Sequence, residues 1–534
     1  MRDIDIFYKL ELNKPFIFNN LSVMLRNYQI EAIINLINQY RAGKNGYVWH
    51  CSGSGNSLTS LRLAQSFLKI KKVDKVILIT SRYDSSFLNQ PALAKTTKDV
   101  LNKLRSKKFV ITFDTLFRNA FNRNAANFSE FCNENIVFVF DDANLIVNSK
   151  SFPDIQNFFK KSKFYLLSSM PKFNKDAVNG RTTKHNFDKR VGTYLLQNAM
   201  DDSNLVEMDV RFLDNDDLTD IKYSKKFLSY PKRISQISNW IIENHNRLTE
   251  NRKFQAMFMV YSVSSILKYY DYIKTGTDLN VVAILSKFND NCGVMSDVDV
   301  ANFVSKYILK DYNKKFNTDF TTSELELFKE DAYRRFEKGK IDILIVPPNY
   351  NKINMPNVNT VYLDHKVLYN SMNLLSDINR PHKEKEIANL VVFTNIENNL
   401  RKKLKTYSNY LPNEKSKLRS YLDYVNLAND SIREFLKFVD MEMNRAVINN
   451  EDDLKLFSKF YRQATKYFSI AKNFREFDDG DFLMTEETLN RLYDPFKNKT
   501  ASSRKKAEEK DIERFELKEY SCIRIDSKYL NSLN

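Results

Sequence analysis

A short β-rich run, Tyr47-Val48-Trp49, breaks into Gly53-Ser54-Gly55-Asn56-Ser57, and a helical pattern then runs from Leu58 to Ile70. Strand, glycine loop and helix in that order turn backbone N–H groups and a helix N-terminus toward an anion. Such loops sit at the carboxyl ends of strands in α/β sheets, where ligands gather. One position departs from the pattern. A phosphate loop ends Gly-Lys-Ser/Thr, and this one reads Gly55-Asn56-Ser57. The glycines would also serve a plain tight turn.

The surrounding pattern supports an α/β fold. Val76 to Thr80, Phe109 to Phe113, Ile136 to Phe140 and Phe164 to Leu167 are continuous apolar runs, as strands buried on both faces are. Helical spacing separates them, beginning with Tyr28, Ala32, Ile33, Leu36 and Ile37, and alternation of this kind predicts a parallel sheet. Ser57, Thr80, Asp141 and Ser168 then fall near strand ends. From about Asn174 to Lys226 the chain is polar, with few strands expected. A second set of runs, Ala256 to Tyr261, Val281 to Leu285, Ile341 to Val346, Val358 to Leu363 and Leu390 to Phe393, predicts a second α/β domain. Beyond Asn395 the pattern turns helical and charged with no further long strand, and Lys497 to Lys506 reads as a flexible basic loop.

At 534 residues, two or three domains are expected. The 43% hydrophobic and 28% charged content fits a soluble globular protein. A net charge of +17 points to a polyanionic partner, or else to a Lys-rich composition with no patch. The four cysteines show no metal-ligand spacing and no disulfide density, which places the chain in a reducing cytoplasm. No apolar run reaches the length of a membrane span. His50, His365 and His382 read as structural or exposed residues, and Cys51 as a small filler.

From Arg26 onward the chain resembles the motor part of the R subunit of type I restriction enzymes, a superfamily 2 DNA translocase. Tyr47 to Thr59 looks like the family's Y-I-W-H-T-T-G-S-G-K-T-L-T. Arg26-Asn27-Tyr28-Gln29 looks like the adenine-reading Q motif, and Ser81-Arg82-Tyr83-Asp84 like D-R-K-D. Asp141-Asp142-Ala143-Asn144 stands at D-E-A-H, and Ser168-Ser169-Met170-Pro171 at T-G-T-P. Later, Ser264-Ser265-Ile266, Asp311-Tyr312-Asn313-Lys314-Lys315-Phe316, Ser376-Asp377-Ile378-Asn379-Arg380 and Phe515-Glu516-Leu517 are similar to family segments in the same order.

The resemblance implies an α/β fold of two RecA-like domains with parallel sheets and a mostly helical C-terminal region. The expected boundaries are 1–25 for a lead-in, 26–225 and 226–400 for the two domains, and 401–534 for the helical region. It implies ATP held by Gln29, Gly53, Ser54, Gly55, Asn56 and Ser57, with Mg²⁺ at Ser57 and Asp141. It also implies catalytic roles for Asp142 and Arg380, though Arg380 could instead pair with Asp377. The implied partners are double-stranded DNA and the methyltransferase and specificity subunits of a type I system.

Four positions depart from the family. Asn56 replaces the cation that meets the terminal phosphates. Asp142 replaces a glutamate and is one methylene short. Asp377 stands where an arginine belongs. Asn351-Lys352-Ile353-Asn354-Met355-Pro356 has lost the glycine of L-T-G-F-D-A-P. The expectation is a translocase by descent with impaired or lost hydrolysis; the alternative is a catalytically dead helicase-like module that binds DNA or sister subunits. No nuclease constellation fits into the stretch before Arg26, so no cleavage by this chain alone is expected.

Overall fold

A computed structural model of the protein describes residues 9–18, 21–81, 90–149, 151–173, 181–214, 225–285, 304–347, 356–364, 378–382, 384–408, 420–440, 445–472, 474, 476–496 and 515–533. The chain divides into two compact units, residues 1–194 with 411–505 and residues 195–410 with 506–534.

In the first unit, β1 (Gly46–His50), β2 (Lys75–Thr80), β3 (Phe109–Phe113), β4 (Ile136–Asp141), β5 (Lys163–Ser168) and β6 (Arg190–Tyr194) form one sheet. Their order is β3-β2-β4-β5-β1-β6, and every pair is parallel. Because side chains alternate along a strand, each apolar run feeds two cores. Phe138 and Phe140 enter an aromatic core with Phe117, Phe128 and Phe164. Val137 and Val139 enter an aliphatic core, which also takes Ile30, Ile33 and Leu36 of α1 (Asn27–Arg41) and Leu61 and Phe67 of α2 (Asn56–Leu68).

The stretch expected to hold few strands contains two. β6 reads Arg-Val-Gly-Thr-Tyr, too polar for an apolar run, and gains its place by pairing with β1, Gly192 opposite Val48. A Cβ on Gly192 would stand 3.0 Å from Val48 Cγ1, so any larger residue there would press on Val48. The second strand, β7 (Glu207–Asp214), belongs to the other sheet and starts it upstream of residue 226.

The second unit carries a seven-stranded sheet of β7, β8 (Gln255–Val260), β9 (Val281–Ala283), β10 (Ile343–Val346), β11 (Val358–Asp364), β12 (Ile387–Val392) and β13 (Lys518–Ile525). The order is β9-β10-β8-β11-β12-β7-β13, parallel except for the antiparallel β13. β13 corrects the expectation that no long strand follows Asn395. Only Ile523 and Ile525 of its eight residues are buried, so it makes no continuous apolar run. It is held by the Arg524 guanidinium, which donates to both carboxylate oxygens of Asp209 on β7 at 2.6 and 2.9 Å.

Helices α3 (Pro231–Leu248) and α4 (Val263–Thr275) bring two polar side chains into this core. Arg233 of α3, fully buried, donates to Asp364 at 3.0 and 2.6 Å and to the Phe393 carbonyl at 2.6 Å. Tyr269 of α4 donates to Asp364 at 2.7 Å. The Phe227 and Phe515 rings lie 5.2 and 5.8 Å from the guanidinium carbon. The helical region is built on α5 (Tyr421–Leu436) and α6 (Glu451–Ala471), with a further helix at 486–496. Phe435 stacks on Phe457, and Tyr461 on Tyr493.

Arg233→Met leaves the Asp364 carboxylate buried without its countercharge, which costs about 3–5 kcal/mol. Urea unfolding of Arg233→Met should show that loss, and adding Asp364→Leu should recover most of it.

Candidate functional site

The glycine loop spans the end of β1 and the start of α2, at the carboxyl edge of the first sheet. Gly53 and Gly55 adopt φ of +83° and +82°, the left-handed region in which a Cβ is strained. Gly55 is also the N-cap residue of α2, and a Cβ there would meet Gln29 Nε2 at 2.7 Å. The loop is tied chiefly at the Ser54 carbonyl, with a longer contact from Gln29 Nε2 to the Gly55 carbonyl at 3.5 Å. Ser54 O accepts from Tyr28 OH at 2.5 Å and from Gln29 Nε2 at 3.0 Å. The other end of the Gln29 amide accepts from the Arg26 N–H at 2.8 Å. The Ser54 hydroxyl turns back to the Cys51 carbonyl at 2.7 Å. Gln29 is thus buried against the loop it was expected to accompany as an adenine reader.

The structure brings Ser57 and Asp141 together: the Ser57 hydroxyl donates to Asp141 Oδ2 at 2.7 Å, and Thr80 reaches the same oxygen at 3.3 Å. β2 and β4 are neighbours in register, Thr80 opposite Asp141, which is why these side chains converge. A hydroxyl beside a carboxylate is the oxygen donor set that suits a hard divalent cation. Among the described residues there is no cluster of three or more His, Cys, Asp or Glu that could hold a metal ion, so this pair would supply only part of a coordination sphere.

Asn56 points elsewhere. Its Nδ2 donates to the His50 carbonyl at 3.3 Å, and its buried Oδ1 has no partner. Asp142, with φ of +46°, accepts the Ser169 N–H at 2.7 Å on Oδ1 and the Ser169 hydroxyl at 3.1 Å on both oxygens. Its backbone N–H donates to Leu167 O at 2.9 Å. Asp142 therefore braces the β4 and β5 ends against each other. Arg380 lies in the second unit, half-buried, where its charge together with burial lowers the nearby Lys385 ammonium to about 8, burial being the larger cause. Arg82, Tyr83 and Asp84, Asn351 to Met355, Asp377 and the basic loop at 497–506 lie outside the described residues.

Sequence reasoning missed two features. The Arg233–Asp364–Tyr269 cluster left one faint signal, an arginine beside the apolar stripe Ile234, Ile237 and Ile241. Behind the loop, Tyr28 stacks on Tyr194 with ring centroids 3.5 Å apart, and His50 packs edge-on to Tyr28. Burial lowers the His50 imidazole to about 3, so the ring is neutral.

Two parallel-stranded α/β units, one with a glycine loop and an acidic strand end, define a helicase-type fold of two RecA-like domains. Residues 28–230 match the SWI2/SNF2 ATPase family, residues 252–395 the type I restriction enzyme subunit R domain 3, and residues 418–533 the type I restriction and modification enzyme subunit R C terminal. Two of these three models describe type I restriction enzyme R subunits, and the chain is similar to that family over residues 252–395 and 418–533. It is 26% identical over 562 aligned residues to a type I restriction enzyme endonuclease subunit of Staphylococcus aureus (strain COL), covering 96% of this chain and 60% of the relative. A Staphylococcus saprophyticus endonuclease subunit matches at 26% identity over 563 residues, again 96% of this chain and 60% of the relative. The chain thus spans less than two thirds of these relatives. A solved fragment described as an HsdR subunit of a type I restriction enzyme from Vibrio vulnificus YJ016 shares the fold, with a TM-score of 0.50 and 12% identity over 74% of this chain and 68% of that one. No helix among the described residues is long and apolar enough to cross a membrane.

The unfolded chain protonates His50 below about pH 6.5, whereas the folded chain keeps it neutral to about 3. Stability from the neutral ring is therefore lost as pH falls, by about 2 kcal/mol between pH 7 and pH 5. Urea midpoints should fall less steeply over that range for His50→Gln than for the parent.

Proposed function

We propose that this chain is the motor-type subunit of a type I restriction-modification system, holding nucleotide and double-stranded DNA with hydrolysis impaired or lost. The observation that carries the reading is Asn56: the loop keeps the conformation of a phosphate cradle, and its end residue is uncharged and turned inward to the His50 carbonyl. The loop N–H groups from Gly53 to Ser57 would meet the phosphates of ATP, and Ser57 with Asp141 would hold Mg²⁺, which would offset phosphate charge. These residues fit binding. They fit hydrolysis poorly. Both Asp142 oxygens are engaged by Ser169, and a shortened carboxylate displaced by about 1 Å can lose on the order of 100-fold in rate. By resemblance Arg380 would be the finger, an element that supplies roughly 10³–10⁵ in this chemistry.

The methyltransferase and specificity subunits of such a system are the expected protein partners, and the cytoplasm is the expected compartment. A DNA-stimulated ATPase assay should give turnover no higher than that of a protein lacking the loop, and faster turnover would overturn the loss of hydrolysis. Asn56→Lys with Asp142→Glu and Asp377→Arg should raise turnover at least about 100-fold if those positions account for the loss. Unchanged turnover with nucleotide still bound would place the defect elsewhere in the cleft.

A further inference from the structure

Helix α6 keeps its acids and bases apart. Glu451, Asp452 and Asp453 stand in its first turn, and from residue 454 to residue 472 there is no acidic residue but five cations. Four of these, Lys455, Lys459, Arg462 and Lys466, follow one another at intervals of four, three and four. At about 100° per residue that spacing aligns them in one stripe, about 16 Å long at a rise of about 1.5 Å per residue. All four are exposed, while Phe457, Ala464 and Phe468 of the same helix are fully buried in the bundle.

The bundle does not account for this row. The helix dipole favours acids in the first turn and cations in the last, yet the last turn of α6 has no cation. α5 disperses its charge differently, pairing Arg433 with Asp430 and Lys437 with Glu434 one turn apart. In the α6 row Lys455 makes such an ion pair, with Asp452. Arg462 donates Nε to the Ser458 carbonyl at 2.9 Å, and Lys459 and Lys466 lie over the rings of their neighbours Phe460 and Tyr467.

We propose that the α6 row grips the phosphate backbone of duplex DNA. This rests on the reading of the chain as a DNA-holding subunit and assigns part of that contact to the helical region. A strand of duplex offers one phosphate per about 3.4 Å of axis while winding round it, so a row of about 16 Å is long enough to meet several of them. A protein partner fits less well. Protein interfaces are depleted in lysine and anchored by desolvated aromatic and apolar groups, and among the described residues of α6 only Leu456 is a large exposed apolar side chain. Contacts of this kind position DNA without reading its sequence.

The test uses the full chain and a labelled duplex of about three helical turns, without nucleotide, followed by fluorescence anisotropy between about 50 and 200 mM KCl. Lys459→Gln/Arg462→Gln/Lys466→Gln should bind about tenfold or more weakly at fixed salt. Its plot of log K against log salt should be shallower by about 2 to 3, near 0.9 for each lost contact, whatever the duplex sequence. Arg433→Gln/Lys437→Gln on α5 should match the parent, as should the melting temperature of both variants. Parent-like affinity and slope in the triple variant would overturn the α6 contact while leaving duplex binding by the chain intact. Absence of duplex binding by the parent chain would overturn both readings. A triple variant that binds DNA normally but loses a copurifying methyltransferase would assign the row to an acidic protein surface and overturn the proposal.

Discussion

The carbonyl of Ser54 joins the parts on which the first unit's site depends. It is clasped by Tyr28 and Gln29 of α1, and the loop around it leads from β1 into α2. Two left-handed glycines let the chain make that passage, and one of them leaves no room for a side chain against Gln29. A buried amide whose both ends are engaged is a strut. The loop conformation is therefore fixed by the protein itself, independent of any charge at position 56.

That independence leaves the glycine loop its shape with an uncharged residue, Asn56, at its helix start. Burying an amide carbonyl without a partner costs about 1–3 kcal/mol, and Asn56 Oδ1 is such a group. The fold tolerates it because the strut, the Ser57–Asp141 contact and the Asp142–Ser169 brace hold the strand ends without it. The same contacts make these polar groups structural members, and Asp142 ties two adjacent strand ends together.

The central strands of both sheets were legible in the sequence because they are buried on both faces and read as unbroken apolar runs. So were the loop and the acidic strand end, since spacing relative to those runs placed Ser57, Thr80 and Asp141 at one edge. The strands β6, β7 and β13 were not. Their pattern is polar or alternating, and pairing with a neighbour rather than local preference makes them strands. The Arg233–Asp364 pair was hidden for another reason: its partners lie more than a hundred residues apart, and neither stands in a motif. For Gln29 the sequence indicated proximity to the loop, but not that both ends of its amide would be spent on holding it.

The second sheet takes its edge strand from residues 518–525, and the Arg233 cage takes one wall from Phe515. Between these and the rest of that unit, residues 411–505 belong to the first unit. Vectorial synthesis therefore treats the two units unequally. All six strands of the first sheet have left the ribosome once Tyr194 has emerged. The second must wait through a long excursion with one flank of β7 unpaired and a guanidinium half-roofed, a window in which a chaperone or a neighbouring nascent strand can compete for that open edge.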